Sequence, residues 1–332
     1  MKRAGNLMDR IADIENLHLA FIKARKSKQG QSAVLAYEKD LDSNMIMLQS
    51  QLLLNRVEVG NYHYFTITDP KVRQICAAPF CERVLHHALM NVCHPWFERH
   101  LISDTYATRK NKGTYAALDR ARNYARTYSH YVKMDIRKYF DNIDHTILKK
   151  QLVCLFKDTA LLTVFDQIID SYHVGDGSKG VPIGNLTSQY FANHYLSAAD
   201  HFAKEKVLIP GYIRYMDDML FFGDSREELQ QKTKLFVCFV EQSLLLNFKP
   251  IVYGTTNKGV VFLGYKTYPF HVKLNKRSKI RFKAKMVRCE ENLDSGKWNQ
   301  YEYQQHVMPL LAFIQYADTD RLRNKTINFE TG

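Results

Sequence analysis

The tetrapeptide Tyr215-Met216-Asp217-Asp218 lies between two runs of high β propensity, Gly211 to Tyr215 and Met219 to Phe222. Such an arrangement predicts a β-hairpin with both aspartates at its turn. Two adjacent carboxylates repel each other unless a cation neutralises them, and carboxylate oxygens select hard ions such as Mg²⁺ or Mn²⁺. Because short motifs recur by chance, the four residues predict either a metal-binding turn or a solvated acidic turn.

A third carboxylate lies further upstream, in the stretch 131–136. Apolar residues alternate there, so they share one face of a predicted strand while Asp135 points to the other face. Together the three carboxylates suit two-metal phosphoryl transfer, in which one ion activates the attacking hydroxyl and the other stabilises the leaving pyrophosphate. Adjacent strand residues face opposite ways. We therefore predict Asp135 and Asp217 as the main metal ligands, with Asp218 in support.

The order of the motifs along the chain resembles that of the reverse transcriptases. The resemblance covers most of the chain and is carried by Pro70 to Ile75, Asp135 to Asp141, Val181 to Gln189, Tyr215 to Asp218, Leu246 to Lys249 and Phe262 to Tyr265. It implies a right-hand polymerase that copies RNA into DNA with two Mg²⁺ ions, for which Mn²⁺ is a possible substitute. Strands and helices interleave without a βαβ period, which predicts an α+β fold. We expect an antiparallel palm sheet backed by helices and a short helical thumb.

One departure from the common pattern narrows the resemblance. Ile183 stands where most reverse transcriptases have glutamine, and Ser188-Gln189 stands where they have Ser-Pro. The string from Ile183 to Gln189 is similar to the enzymes of diversity-generating retroelements in bacteria, archaea and their phages. That similarity implies mutagenised cDNA with errors opposite adenine, and a small accessory protein oligomer as partner. Alternatives are a retron or group II intron-like enzyme, a viral-type RNA-dependent RNA polymerase, or a catalytically silent RNA-binding scaffold.

The resemblance also implies roles for individual side chains. Phe140 would close over the sugar and exclude a 2′-OH, and Lys249 would protonate the leaving pyrophosphate. Their plainer alternatives are a core phenylalanine and a solvated lysine. The nucleotide-binding set is Lys71, Arg73, Phe140, Ile183, Gly184 and Gln189. The primer- or template-binding set is Tyr215, Met216, Phe262, Leu263, Gly264, Lys276, Arg277, Lys279 and Arg281.

The composition fits a protein that binds a polyanion. Lys and Arg number 47 against 34 Asp and Glu, which leaves a net charge of +13. The segment 271–288 carries basic residues and no acidic one, as a nucleic-acid-binding thumb would. Template RNA, an RNA/DNA hybrid and dNTPs are the expected partners, although charge alone does not say which polyanion is bound.

The predicted organisation has three parts: N-terminal helices and fingers at 1–128, a palm at 129–268 with a fingers-like insertion at about 146–180, and a basic thumb at 269–332. Helical periodicity predicts one helix around residues 7–21 and a second around 34–52, followed by a strand pair near 62–76. Asp144 is a predicted N-cap. With no apolar run near 18 residues and no signal peptide, we expect a cytoplasmic protein of a bacterial or phage-infected cell, without a membrane partner.

Overall fold

The computed structural model describes residues 2–69, 72–175, 177–320 and 322–323. The chain forms two compact units. The first contains Met1–Arg109, Asp135–Leu208 and Lys234–Lys249, and the second contains Lys110–Met134, Ile209–Thr233 and Pro250–Gly332. Because both units are interleaved along the sequence, their boundaries differ from those of the predicted fingers, palm and thumb, and that three-part division stays a prediction.

The first unit begins with short helices and a β-hairpin: α1 (Met8–Ile11), α2 (Ile14–Arg25), α3 (Ser32–Lys39), α4 (Leu41–Leu53), β1 (His63–Ile67), β2 (Arg73–Ala77) and α5 (Phe80–His100). The predicted strand pair is confirmed, and β1 and β2 are antiparallel. Each of the two predicted N-terminal helices is divided in two. At Asp13 the reason is visible, because its side chain accepts a hydrogen bond from the backbone N–H of Glu15 and so starts a new helix.

The rest of the first unit is mainly helical. A 3₁₀ turn (Tyr139–Asn142) precedes α7 (His145–Leu155), α8 (Thr159–Asp170), α9 (Leu186–Tyr195) and α10 (Ser197–His201), and α11 (Arg226–Ser243) has its C-terminal half here. Asp144 caps α7 as predicted, accepting a hydrogen bond from the backbone of Ile147 at 3.0 Å. The rings of Phe97, Phe156 and Phe165 pack at 5.5–6.5 Å in the core of this unit.

The second unit contains the sheet that carries the predicted hairpin. Its elements are α6 (Thr114–Thr127), β3 (His130–Asp135, of which the last residue belongs to the first unit), β4 (Gly211–Tyr215), β5 (Asp218–Gly223) and β6 (Val252–Thr255), with the strands ordered β4-β5-β3-β6. β4 and β5 are antiparallel, which confirms the predicted hairpin. Helix α6 packs against this sheet, where the rings of Tyr124 and Phe222 lie 5.4 Å apart.

The C-terminal part of the second unit is a small sheet followed by a helical pair. β7 (Val260–Phe262), β8 (Tyr265–Thr267) and β9 (Val272–Leu274) precede α12 (Lys276–Asp294) and α13 (Gln300–Gln315). Strand β9 thus lies near the start of the basic segment 271–288, and α12 begins only at Lys276. A hydrophobic core that includes Phe282, Met286 and Ile314 joins the two helices. None of the described helices is both long and apolar enough to cross a bilayer.

Candidate active site

The two aspartates lie at a tight, left-handed turn. Tyr215 pairs with Asp218, so Met216 and Asp217 form the two-residue loop of the hairpin. Met216 has a φ of 54°, a conformation that costs a non-glycine residue roughly 1–2 kcal/mol. Both carboxylates are half-buried. The turn therefore holds two like charges close together on strained backbone, which is how functional sites often store strain.

Arg214 supports this turn from inside the sheet. Its side chain is fully buried, and its guanidinium donates a hydrogen bond to the carbonyl oxygen of Met216 at 3.1 Å. Arg214 was not among the predicted residues. A signal was present, because an arginine within an apolar strand and close to two aspartates implies a buried cation that needs polar partners.

Lys133 reaches the same turn from the neighbouring strand β3. Its Nζ lies 3.2 Å from Oδ2 of Asp218 and donates a hydrogen bond to the carbonyl oxygen of Val261 at 3.1 Å. The ammonium also lies 5.9 Å from the ring centre of Phe262. Lys133 was not predicted either, although strand alternation places it on the same face of β3 as Asp135.

Asp135 forms an ion pair with a second lysine, Lys249. The Nζ of Lys249 lies 2.5 Å from Oδ1 of Asp135, and the backbone N–H of Lys249 donates to the carbonyl oxygen of Asp135 at 2.8 Å. An isolated bridge between Ile136 and Phe248 continues this antiparallel pairing. The structure thus places Lys249 beside Asp135, where its ammonium neutralises the carboxylate.

The predicted nucleotide-binding segment from Ile183 to Gln189 is joined to β2 and the residue that follows it by two hydrogen bonds. The backbone N–H of Cys76 donates to the carbonyl oxygen of Ile183 at 2.9 Å, and the N–H of Ala78 donates to the buried side chain of Asn185 at 3.1 Å. Gly184 has a φ of 122°, and a Cβ there would lie only 3.0 Å from Cγ2 of Ile75. A glycine is required because the backbone needs both this conformation and this close approach.

Three other predicted nucleotide-binding residues are at least partly accessible. Phe140 is half-buried, whereas its neighbour Tyr139 is 2% exposed. Gln189 is half-buried in α9, and Arg73 is exposed at the start of β2. Lys71 lies outside the described residues. The intermediate burial of Phe140 leaves part of this residue accessible to solvent.

The predicted primer-binding hairpin docks on the helical pair. Leu263 and Gly264 form the β7–β8 turn with φ values of 47° and 92°. A Cβ on Gly264 would lie 3.1 Å from Oγ of Ser278 and 3.2 Å from the ring of Phe313. Tyr265 donates a hydrogen bond from its hydroxyl to the carbonyl oxygen of Phe313 at 2.6 Å. Contacts with both α12 and α13 therefore fix the turn.

The remaining predicted primer- or template-binding residues lie at the hairpin and on α12. The hydroxyl of Thr114 donates to the hydroxyl of Tyr215 at 3.3 Å. The predicted cations of α12 lie within its first two turns, and all but one are exposed: Lys276, Arg277, Lys279 and the half-buried Arg281.

The carboxylates fit a hard cation in their chemistry, but lysines bind two of them. Among the described residues, no three His, Cys, Asp or Glu side chains are grouped so as to hold a metal ion. Lys249 and Lys133 instead pair with Asp135 and Asp218. A cation that binds either carboxylate competes with an ammonium. The metal-ligand set of Asp135, Asp217 and Asp218 thus stays a prediction.

Comparison with known families identifies the chain. A profile of the family described as reverse transcriptase (RNA-dependent DNA polymerase) matches residues 68–267. The chain belongs to this reverse transcriptase family. The matched segment contains Asp135, the turn with Asp217 and Asp218, and Lys249, and it ends at the last residue of β8.

The curated proteins that the chain resembles include a yeast intron protein and a bacterial protein. The chain is 20% identical over 216 residues to the putative COX1/OXI3 intron 1 protein of Saccharomyces cerevisiae, and the match covers 61% of this chain and 26% of that protein. It is 24% identical over 242 residues to the protein YkfC of Escherichia coli, covering 64% of this chain and 62% of YkfC. The chain thus spans less than two thirds of either relative.

Solved structures confirm the predicted fold class. The apo telomerase of Candida tropicalis superposes with a TM-score of 0.51 at 14% identity, covering 70% of this chain and 52% of the telomerase chain. The form truncated from its C-terminal domain gives a TM-score of 0.50 at 14% identity, with 65% and 55% covered. At this identity the likeness shows the fold alone, which is the right-hand polymerase fold of the α+β class.

Proposed function

We propose that this reverse transcriptase family member is an active RNA-directed DNA polymerase. One observation carries the proposal: within the matched reverse transcriptase segment, the β4–β5 turn presents Asp217 next to Asp218 on a left-handed backbone. Adjacent carboxylates at such a turn suit metal-assisted nucleotidyl transfer, for which Asp135 would supply the third carboxylate. A silent scaffold would not need two like charges on a strained turn, where they cost stability.

We assign the following roles in the reaction to individual residues. Asp135 and Asp217 would hold the Mg²⁺ ions, which when bound activate the primer hydroxyl and neutralise the triphosphate. Lys249, already beside Asp135, would turn its ammonium to the leaving pyrophosphate and donate a proton. Phe140 would press on the sugar and leave no room for a 2′-OH.

Primer extension tests this function directly. The purified chain is supplied with an RNA template, a DNA primer, dNTPs and Mg²⁺. We expect extension by the parent and a loss of more than about 100-fold in Asp217→Asn, because an amide is a poor metal ligand. Asp224→Asn, at the opposite end of β5, is the matched control and should extend normally. No extension by the parent, or Asp217→Asn within tenfold of it, would contradict the proposal.

We further propose that the enzyme is of the diversity-generating type. The string from Ile183 to Gln189 supports this, because isoleucine offers no hydrogen bond near the base pair, where a glutamine would help to hold matched geometry. Errors opposite adenine and a small accessory protein follow from the resemblance. Sequencing of cDNA from the parent and from Ile183→Gln on one RNA tests it: the variant should make a few-fold fewer errors opposite adenine.

An intron-type enzyme without adenine mutagenesis is the second candidate. The similarity to the intron-encoded yeast protein favours it. The same sequencing experiment separates the two candidates, because an intron-type enzyme would distribute its errors over all four template bases. An error rate opposite adenine no higher than that opposite the other bases would favour the second candidate.

A further inference from the structure

Lys133 connects three strands of the second unit. It lies in β3, its Nζ is 3.2 Å from Asp218 at the start of β5, and it donates to the carbonyl oxygen of Val261 in β7 at 3.1 Å. The ring of Phe262, also in β7, lies 5.9 Å from the ammonium. A carboxylate, a carbonyl and an aromatic face are the three kinds of partner that an ammonium binds best.

The surroundings hold this lysine in place. The side chains of Lys133 and Asp218 are 25% and 21% exposed, so water screens their interaction less than it would on an open surface. Strand pairing fixes the backbone on both sides, because Lys133 is in register with Val252 of β6, and Asp218 with Tyr215 of β4. The sheet therefore holds the two partners of this ion pair in fixed positions.

The two aspartates of the turn consequently differ in their surroundings. Asp217 is in the two-residue loop. Asp218 is the first residue of β5, and its Oδ2 forms an ion pair with the ammonium of Lys133. A divalent cation that binds Asp218 competes with the ammonium of Lys133, as one that binds Asp135 competes with the ammonium of Lys249.

We propose that Lys133 is a positioning residue that keeps Asp218 as an anchor of the turn and couples the turn to β7. Asp218, held by this ion pair, then orients the neighbouring Asp217 for the metal. This inference rests on the proposed function. The coupling joins the metal-binding turn to the β7–β8 hairpin, so a displaced hairpin would also displace the turn.

Metal binding without nucleic acid is the first test. The Mn²⁺ affinity of the purified chain is measured from the electron paramagnetic resonance signal of free Mn²⁺. Lys133→Met should bind Mn²⁺ at least about threefold more tightly than the parent, because a competing cation is removed. Lys133→Arg keeps the charge and should stay within about twofold. The matched control is Lys266→Met, which removes a half-buried lysine from β8 that lies over the ring of Tyr268.

A double-mutant cycle with Asp218→Asn is the second test. Alone, Lys133→Met should lower kcat for primer extension by about tenfold, with the KM for dNTP changed less than threefold. In the Asp218→Asn background the same substitution should cost less than about twofold, because its partner is already gone. Lys133→Arg keeps the positive charge and should retain most of the kcat of the parent.

The outcomes separate the inference from the proposed function. Equal kcat losses from Lys133→Met in both backgrounds, or unchanged Mn²⁺ affinity, would overturn the positioning role, since a merely structural lysine acts independently of Asp218. A parent chain that neither binds Mn²⁺ nor extends a primer would overturn the proposed function and this inference with it. Tighter Mn²⁺ binding in Lys133→Met together with a coupled kcat loss would support both.

Discussion

Opposed charges surround the turn at Met216 and Asp217. Arg214 binds the carbonyl oxygen of Met216, and Lys133 pairs with Asp218. Each cation offsets a cost, since the first stabilises a left-handed methionine and the second reduces the repulsion between adjacent carboxylates. The turn thereby keeps a shape that neither its own sequence nor two aspartates alone would favour.

The first prediction contrasts the two aspartates. Asp217→Asn should reduce primer extension by more than about 100-fold because it removes a metal ligand, while Asp218→Asn should lose only about tenfold because it removes the ion pair with Lys133 that positions the turn. Single-turnover extension with Mg²⁺ measures both losses. Equal losses in the two variants would show that both aspartates are metal ligands of the same weight.

The second prediction concerns Phe140. Phe140→Ala should raise ribonucleotide incorporation relative to deoxynucleotide incorporation by about tenfold or more, because the half-buried ring no longer fills the space of a 2′-OH. Competition between the two nucleotide types in one reaction gives the ratio. Tyr139→Phe is a control that leaves the neighbouring ring in place. An unchanged ratio would mean that Phe140 only packs against Tyr139, whose ring lies 5.7 Å away.

Among the helices, α5 combines a long apolar face with several histidines. His94 shares a hydrogen bond with the hydroxyl of Tyr190 at 3.0 Å, and His86 lies 3.5 Å from the buried Glu82. Burial, together with the nearby charges of Lys23, His86 and Lys28, lowers the pKa of His87 from 6.5 to about 4. This helix therefore contributes a pH-dependent part of the stability.

The third prediction follows from that lowered pKa. Below pH 6.5 the unfolded chain protonates His87, while the folded chain does so only near pH 4. The unfolded state thus binds more protons between these values, and the free energy of unfolding falls as the pH decreases, by about 2 kcal/mol for this group. Urea unfolding at pH 7 and pH 4.5 should show a smaller decrease in His87→Leu than in the parent. His63→Leu, on the exposed strand β1, should behave as the parent does, and an identical decrease in both variants would contradict the assignment.

For the molecule as a whole, the positive charge is unevenly distributed. The net charge is +13, and the first two turns of α12 carry basic residues without an acidic one. The cap at Asn275, which accepts a hydrogen bond from the backbone of Ser278 at 2.8 Å, starts this helix next to the β7–β8 turn. Phosphates bound along α12 would therefore lie close to the hairpin predicted to hold the primer end.

The fourth prediction concerns the salt dependence of nucleic-acid binding. Replacing Lys276 and Lys279 by glutamine should weaken binding to an RNA/DNA hybrid and reduce the slope of log K against log salt by about 2, because two phosphate contacts are lost. Fluorescence anisotropy at increasing NaCl measures the slope. The matched control replaces the exposed Lys39 and Lys150, in α3 and α7, and should leave the slope unchanged. Equal changes in both double variants would mean that only net charge matters.

Local patterns in the sequence predicted the family, the fold class and the hairpin. The order of short motifs and the periodicity of apolar residues can both be read along the chain without knowing any long-range contact. Alternation predicted the strand at Asp135, two β-rich apolar runs predicted the hairpin around Met216, and a capping residue predicted the start of α7 at Asp144. The same kind of information failed at Asp13, where a cap inside an apolar period divided the predicted helix. Local competition for backbone N–H groups was stronger there than periodicity.

Only the tertiary structure decided which charges meet at the site. Lys133 pairs with Asp218, and Lys249 with Asp135, across more than 80 residues of chain. These pairs follow from the strand order β4-β5-β3-β6 and from the pairing of the segment around Phe248 with that around Ile136. Strand order depends on long-range packing, and an ion pair depends on angstrom-scale distances that no residue pattern encodes. The sequence alone therefore identified the carboxylates, and the fold assigned a lysine partner to Asp135 and to Asp218.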